Sequence, residues 1–116
     1  MADIQELTAK IKQFIHERDW EQFHAHKNLL ISTSVELGEL MEHFQWNEGE
    51  KLDEYIREHK EDISDELADV CIYLLELADN LGIDVSAAIE NKLAKNAIKY
   101  PVEKVKGNNK KYTEYA

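Results

Sequence analysis

Residues 34–42, Ser-Val-Glu-Leu-Gly-Glu-Leu-Met-Glu, constrain the fold of this chain more than any other stretch. They lie within an unbroken helical pattern, in which Glu36 and Glu39 fall about 60° apart on one face. An apolar stripe runs beside that face and consists of Leu37, Leu40, Met41 and Phe44. The pattern predicts a helix whose paired carboxylates flank a buried seam instead of facing open solvent.

A second carboxylate pair follows thirty residues later. Glu66 and Asp69 have the same spacing, with Leu67 and Val70 behind them. If the two apolar stripes pack on each other, the four carboxylates converge, and their mutual repulsion then favours a bound cation. Carboxylate oxygens are hard ligands that suit Mg²⁺, or Mn²⁺ as a substitute, far better than zinc. The sequence therefore predicts a magnesium site.

The composition favours an all-α fold. The chain has 116 residues with one Pro and four Gly, and its length suits one small domain. We expect a bundle of four main helices, completed by oligomerisation because so short a chain covers little apolar surface. We place an all-α domain at 1–100 and a basic tail at 101–116. The predicted helices span about 3–18, 27–45, 62–81 and 84–99, with a short surface helix at 51–60.

Charge is distributed unevenly along the chain. Residues 1–91 hold 7 Lys/Arg against 22 Asp/Glu, whereas residues 92–116 hold 7 Lys against 2 Glu. The acidic body argues against binding duplex nucleic acid. A basic tail beside an acidic metal site suits a polyphosphate ligand, although a solvated tail explains the charge equally well.

Features that bear on the compartment are few. The sequence has no apolar run of 18 residues and a polar N-terminus, so we expect no membrane span and no signal peptide. Cys71 is the only cysteine, which predicts a cytoplasmic protein and a buried, chemically silent thiol.

Aromatic and polar residues accompany the carboxylate helices. Trp20 and His24 lie in the connector after the first helix, and Trp46 follows the second. Either tryptophan alone could simply plug the end of a bundle, but together they favour stacking on a base. Tyr73 shares the face of Glu66 and Asp69, one to two turns away.

The two carboxylate pairs resemble the ExxE…ExxD signature of the MazG-like all-α nucleoside triphosphate pyrophosphohydrolases. The resemblance extends over nearly the whole chain and is strongest to the dCTP-pyrophosphatase branch. The motifs that carry it, besides the pairs, are Asp19-Trp-Glu-Gln-Phe-His24, Asn28-Leu-Leu, Gly38-Glu-Leu, Phe44-Gln-Trp46, Ile72-Tyr-Leu74, Lys92, Asn96, Tyr100-Pro101 and Lys111-Tyr-Thr-Glu114.

The resemblance implies four-helix bundles built from two subunits, in a homodimer or homotetramer. It also implies Mg²⁺-dependent hydrolysis of a nucleoside triphosphate to monophosphate and pyrophosphate, with dCTP or a modified dCTP as substrate, in clearing the nucleotide pool. The implied metal ligands are Glu36, Glu39, Glu66 and Asp69. The implied substrate contacts are Trp20, His24, Trp46 and Tyr73 as walls, and Lys92 and Asn96 toward phosphate or sugar.

Two positions depart from the branch, in which we expect His in place of Ile11 and Asp in place of Ala94. Both departures put the preferred base in question. For the reaction itself, a carboxylate that is not fully engaged with metal can serve as general base, and we favour Glu39.

Two alternatives remain from the sequence alone. A di-iron carboxylate protein needs Glu-x-x-His on two core helices, and neither carboxylate pair is followed by His at that spacing; we expect His43, one turn past Glu39, to face solvent. A non-catalytic helical nucleotide-binding or adaptor protein would show no metal binding and no dependence on the carboxylate pairs.

Overall fold

The all-α prediction is confirmed by the computed structural model, which describes residues 1–107 and contains no strand in that range. The helices are α1 (Ile4–Glu17), α2 (His26–Gln45), α3 (Gly49–Glu58), α4 (Lys60–Asn80), α5 (Val85–Lys99) and α6 (Val102–Val105), with a 3₁₀ turn at Glu21–Phe23 between α1 and α2. Residues 1–83 form one compact unit, and a second unit begins at Asp84.

Helix ends follow local sequence signals. The side chains of Asp3 and Asp84 accept hydrogen bonds from the backbone N–H groups of Glu6 and Ala87, which caps α1 and α5. Gly82 follows α4 with a φ of 70°, a conformation that glycine adopts without steric cost. The predicted bounds of these helices are therefore confirmed to within a few residues.

The start of α4 differs by two residues from the predicted bound at residue 62. The helix begins at Lys60, one residue after α3 ends. The ring of His59 stacks on Tyr55 at 3.9 Å between centroids, and its Nδ1–H donates to the Tyr55 carbonyl oxygen over 3.0 Å. The contact between His59 and Tyr55 thus joins α3 to α4 directly, without a polar linker between the two helices. The turn of helix at Val102–Val105 was also not predicted.

Helices α2 and α4 form the main pairing of the first unit, while α1 packs on α4 and α3 contacts both α2 and α4. The pairing is antiparallel, because His24 just before α2 meets Glu76 late in α4, whereas Glu36 lies near Glu66 early in α4. Ile15, Leu29 and Val70 form the buried apolar core.

The predicted apolar seams are only partly correct. Val70 is buried, but Leu67 is 51% exposed and Leu74 is also exposed. On α2, Leu37 and Met41 are exposed, while Glu36 is half-buried. The carboxylates thus lie in the α2–α4 contact itself, and the larger aliphatic side chains face outward. Part of each predicted stripe, including Leu37, Met41 and Leu67, thus lies on the outer face of the helix pair.

One smaller expectation was also wrong. Cys71 is exposed in the described chain and is not a buried hydrophobe.

We expect Leu29→Ala to lower the free energy of unfolding by about 2–5 kcal/mol, because Leu29 is 1% exposed and truncation leaves a cavity. Chemical denaturation measures this loss. Leu30→Ala makes the same truncation at a position that is 58% exposed and should cost much less. An equal loss at both positions would contradict the burial seen here and would place Leu30 in contact with another surface in solution.

Candidate metal centre and its two cavities

Three of the four predicted metal ligands converge where α2 crosses α4. One carboxylate oxygen from each of Glu36, Glu39 and Glu66 lies within 4.8 Å of the other two. Glu36 and Glu66 are half-buried and Glu39 is exposed. Helical spacing places the first two residues on one face of α2, and the antiparallel pairing brings Glu66 to them. This group of three is called the carboxylate cluster below.

The cluster is electrostatically unfavourable when all its members are ionised. Oε2 of Glu36 and Oε2 of Glu66 are closed to solvent and have no hydrogen-bond partner, since one carboxylate cannot donate to another. Burial raises the pKa of Glu36 to about 7, and the neighbouring Glu39 adds to this rise. Burial, followed by Glu39, also raises the pKa of Glu66. Two buried, unpartnered oxygens beside a third carboxylate fit a hard divalent cation.

Asp69 lies outside this group of three. It borders a cavity together with Glu36, and its negative charge contributes to the raised pKa of Glu36. No histidine belongs to the cluster within residues 1–107. The ligand set of a di-iron protein is therefore not found in the described part of the chain.

An apolar cavity of about 640 Å³ opens on the Glu36 side of the cluster. Its walls come from α1, the connector and α4, and they include Ile11, Phe14, Trp20, His24, Asp69, Cys71, Tyr73 and Glu76. The rings form a chain of edge or tilted contacts, with centroids 5.9 Å apart for Phe14 and Trp20, 6.3 Å for Trp20 and His24, and 6.5 Å for His24 and Tyr73. Three of the residues predicted as substrate walls therefore line this one cavity, namely Trp20, His24 and Tyr73.

Ile11 also lines this apolar cavity. It is the position at which the resemblance to the dCTP branch leads us to expect a histidine. The apolar side chain of Ile11 offers no hydrogen bond to a ligand, so any polar recognition in this cavity has to come from other residues.

A polar cavity of about 750 Å³ opens on the other side of the cluster, next to Glu39 and Glu66. Its other walls are Glu42, His43, Gln45, Trp46 and Tyr55. Trp46 ends α2 and is 81% exposed. The two tryptophans therefore line different cavities of the described chain, with the carboxylates between them.

His43 does not face open solvent, contrary to the sequence-based expectation. It is half-buried, and its Nδ1 lies 2.8 Å from the hydroxyl oxygen of Tyr55, at hydrogen-bonding distance. The sequence gives no sign of this contact, because it depends on how the short helix α3 folds back on α2.

Glu76 is a residue of the site that the sequence analysis did not single out. Its side chain is paired with Nδ1 of His24, and the residue is only 5% exposed. Burial raises the pKa of Glu76, while His24 acts in the opposite direction. Glu66, Asp69, Tyr73 and Glu76 recur along one face of α4, a spacing that could have marked Glu76. Its partner His24 lies 52 residues away in the sequence, and no sequence pattern indicates that the two side chains meet.

Lys92 and Asn96 lie one turn apart on α5, in the second unit. Their assignment as phosphate or sugar contacts stays a prediction. The lysines at 110 and 111, also considered for the phosphates, lie outside the described residues. Among residues 1–107, no helix combines the length and the apolar character needed to cross a bilayer.

Comparisons with known proteins agree with this architecture. The sequence model of the MazG-like family matches residues 31–115. The chain is 40% identical to dCTP pyrophosphatase 1 of Rattus norvegicus and 39% identical to that of Homo sapiens, in each case over 98% of this chain and 66% of the relative. It thus spans just under two thirds of the length of these curated relatives.

A solved structure is similar as well. The crystal structure of a pyrophosphatase from Archaeoglobus fulgidus superposes with a TM-score of 0.80 at 37% sequence identity. The match covers 87% of this chain and 94% of that chain. The helical arrangement described above therefore occurs in a protein of nearly the same extent.

We expect the metal-free protein to lose thermal stability as pH rises from about 4.5 to about 7. The pKa of Glu36 is raised in the fold, so its contribution is full below the ordinary value of 4.5 and is lost as pH passes about 7. Melting temperatures measured by circular dichroism with a chelator test this. Glu36→Gln should flatten the slope, and Glu61→Gln, the same change at an exposed position of α4, should not. A slope unaffected by Glu36→Gln would contradict the assignment.

Proposed function

This chain belongs to the MazG-like family, and we propose that it hydrolyses a nucleoside triphosphate to the monophosphate and pyrophosphate. The observation that carries the proposal is the carboxylate cluster, with two buried unpartnered oxygens beside a cavity lined by aromatic rings. Relatives named dCTP pyrophosphatase 1 support dCTP, or a modified dCTP, as the substrate of this chain also. Such a role in clearing nucleotides would belong in the cytoplasm.

We infer that Glu36, Glu39 and Glu66 hold Mg²⁺, with Asp69 as the fourth ligand and Mn²⁺ as a possible substitute. Mg²⁺ bound there supplies a Lewis acid for the phosphate oxygens and lowers the pKa of a bound water. Oxygen donors without nitrogen or sulfur suit this ion. Asp69 borders the same cavity as Glu36, so it can reach a ligand that enters from that side.

Side chains of the protein would perform the remaining roles, which are base binding and general-base catalysis. Trp20 and Tyr73 offer ring faces or edges to the base in the apolar cavity, where water is displaced. Glu39 is the exposed carboxylate of the cluster, so it is accessible to the attacking water as general base. Trp46 borders the polar cavity, and it would reach the same nucleotide only if an assembly brought two such sites together.

We expect Glu36→Gln, Glu39→Gln, Glu66→Gln and Asp69→Asn each to reduce turnover more than about 100-fold, since loss of a partner of a metal ligand alone costs 10- to 100-fold. Release of pyrophosphate from dCTP with Mg²⁺ measures this. Near-normal turnover in any two variants would contradict the four-ligand assignment. Calorimetric titration with Mg²⁺ provides the control, because a non-catalytic adaptor would bind no metal and would be indifferent to all four substitutions.

We also propose that the active form is a homodimer or homotetramer. Large apolar side chains are exposed along α2 and α4, among them Val35, Leu37, Met41, Leu67 and Leu74. Monomeric proteins rarely expose large apolar patches, so these side chains favour an interface with a second copy. Association of two α2–α4 pairs would cover it and would complete four-helix bundles.

The assembly has a direct test. Because association stabilises the folded state by mass action, we expect the melting temperature to rise with protein concentration. Sedimentation equilibrium at micromolar concentration should give a mass of at least two chains. Met41→Glu, which places a charge on the exposed apolar face, should shift the mass toward the monomer, whereas Lys51→Glu on α3 should not. A wild-type monomer under these conditions would contradict the proposal.

A further inference from the structure

Glu76 is a buried carboxylate in the wall of an apolar cavity. It is 5% exposed, and its hydrogen bond to His24 uses one of the roughly four lone-pair sites of the carboxylate. Stability gives no reason for this arrangement, because apolar residues of similar volume in place of a buried ion pair are often as stable or more so. A role in ligand binding therefore explains the buried Glu76 carboxylate better than stability does.

The position of Glu76 in the cavity is defined by α4. Asp69, Tyr73 and Glu76 all line the cavity and lie on one face of this helix. Seven residues separate Asp69 from Glu76, which is roughly 10 Å along the helix axis. This span is comparable with the separation of the α-phosphate and the base edge in a nucleotide. A nucleotide with its phosphates near Asp69 would bring its base toward Glu76.

Apart from the carboxylates, the polar side chains in the cavity lining include Lys10, His24 and Tyr73, and Lys10 can only donate a hydrogen bond. Trp20 and Phe14 present rings, and Ile11 presents an alkyl chain. Stacking on such groups tolerates any base. Among the carboxylates of the lining, Glu76 lies farthest along α4 from the carboxylate cluster, and it offers a hydrogen-bond acceptor beside its partner His24.

The chemistry of a carboxylate determines what it selects. An ionised carboxylate only accepts hydrogen bonds. Cytosine carries an amino group at position 4, which donates, whereas thymine and uracil carry an oxygen there, which only accepts. An oxygen placed against Glu76 would leave two acceptors facing each other without a proton, and such unpaired buried groups account for the strongest discrimination between ligands.

We propose that Glu76 is the specificity-determining residue of this chain and that it accepts a hydrogen bond from the exocyclic amino group of a pyrimidine base. Ile11 has no polar group that could contact a base, and Glu76 would supply such a contact in the same cavity. The inference rests on the proposed hydrolysis of nucleotides, and it adds the residue and the chemical group that decide between substrates.

The first experiment uses the wild-type protein and three triphosphates. We expect kcat/KM for dCTP to exceed that for dUTP by about 10- to 100-fold, the worth of one hydrogen bond to a charged group. The 2-pyrimidinone deoxynucleotide has hydrogen in place of the amino group, and its kcat/KM should fall below that for dCTP by about the same factor. Equal use of dCTP and this analogue would overturn the proposal, and this comparison needs no variant that folds.

The second experiment uses Glu76→Gln. A glutamine side chain both donates and accepts, so the ratio of kcat/KM between dCTP and dUTP should fall by about tenfold or more. Glu61→Gln, the same change on an exposed turn of α4, should keep the wild-type ratio. An unchanged ratio in a folded Glu76→Gln protein, or an equal loss with every nucleotide, would assign Glu76 to the structure alone.

Binding separates the two proposals. If the wild-type protein hydrolyses no triphosphate, the proposed function is wrong, and calorimetric titration with dCMP and dUMP then decides the role of Glu76. Tighter binding of dCMP that is lost in Glu76→Gln supports base selection, and equal binding overturns it. Hydrolysis without preference for dCTP over dUTP would overturn the role of Glu76 and leave the hydrolytic function in place.

Discussion

The contact between α2 and α4 is the interaction on which the site depends. Most helix pairs bury apolar side chains at their crossing, but this pair buries parts of Glu36 and Glu66 there. The repulsion between these carboxylates is offset by favourable packing elsewhere. Leu29 and Val70 are buried in the core, and two long helices pack against each other in antiparallel orientation. A cation would remove much of that repulsion. The fold therefore carries its unfavourable charge at the site where we propose that the metal binds.

The carboxylate cluster also divides the space around it by polarity. Glu36 belongs to the apolar cavity with its aromatic walls, and Glu39 and Glu66 belong to the polar cavity with His43 and Tyr55. A ligand with one apolar, stacking part and one strongly charged part matches this division. A nucleotide has both parts, and a bare phosphate ester or an apolar peptide has only one.

Much of this could be predicted from the sequence, for identifiable reasons. The helices and the pairing of Glu36 with Glu39 follow from periodicity and capping, which are local properties. The direction in which each helix faces is not local. Leu37 and Leu67 were predicted to face inward because apolar residues usually do, yet the structure turns them outward. Apolar periodicity does not distinguish a stripe that packs within the fold from a stripe that stays exposed.

The contacts missed by the sequence analysis are long-range pairs of polar groups. His24 meets Glu76, and His43 meets Tyr55, and both pairs join segments whose spacing in the sequence carries no periodic signal. The resemblance to a known family did not supply them either. They depend on how α2, α3 and α4 pack together in three dimensions.

The placement of Asp69, Tyr73 and Glu76 on one uninterrupted helix has a geometric consequence. The length between the two ends of the apolar cavity is determined by helical rise and not by loop conformation. Substitutions elsewhere can change the width of this cavity while its length stays constant. An insertion of one residue in α4 between Asp69 and Glu76 would turn the glutamate by about 100° around the helix axis, out of the cavity, without altering any side chain.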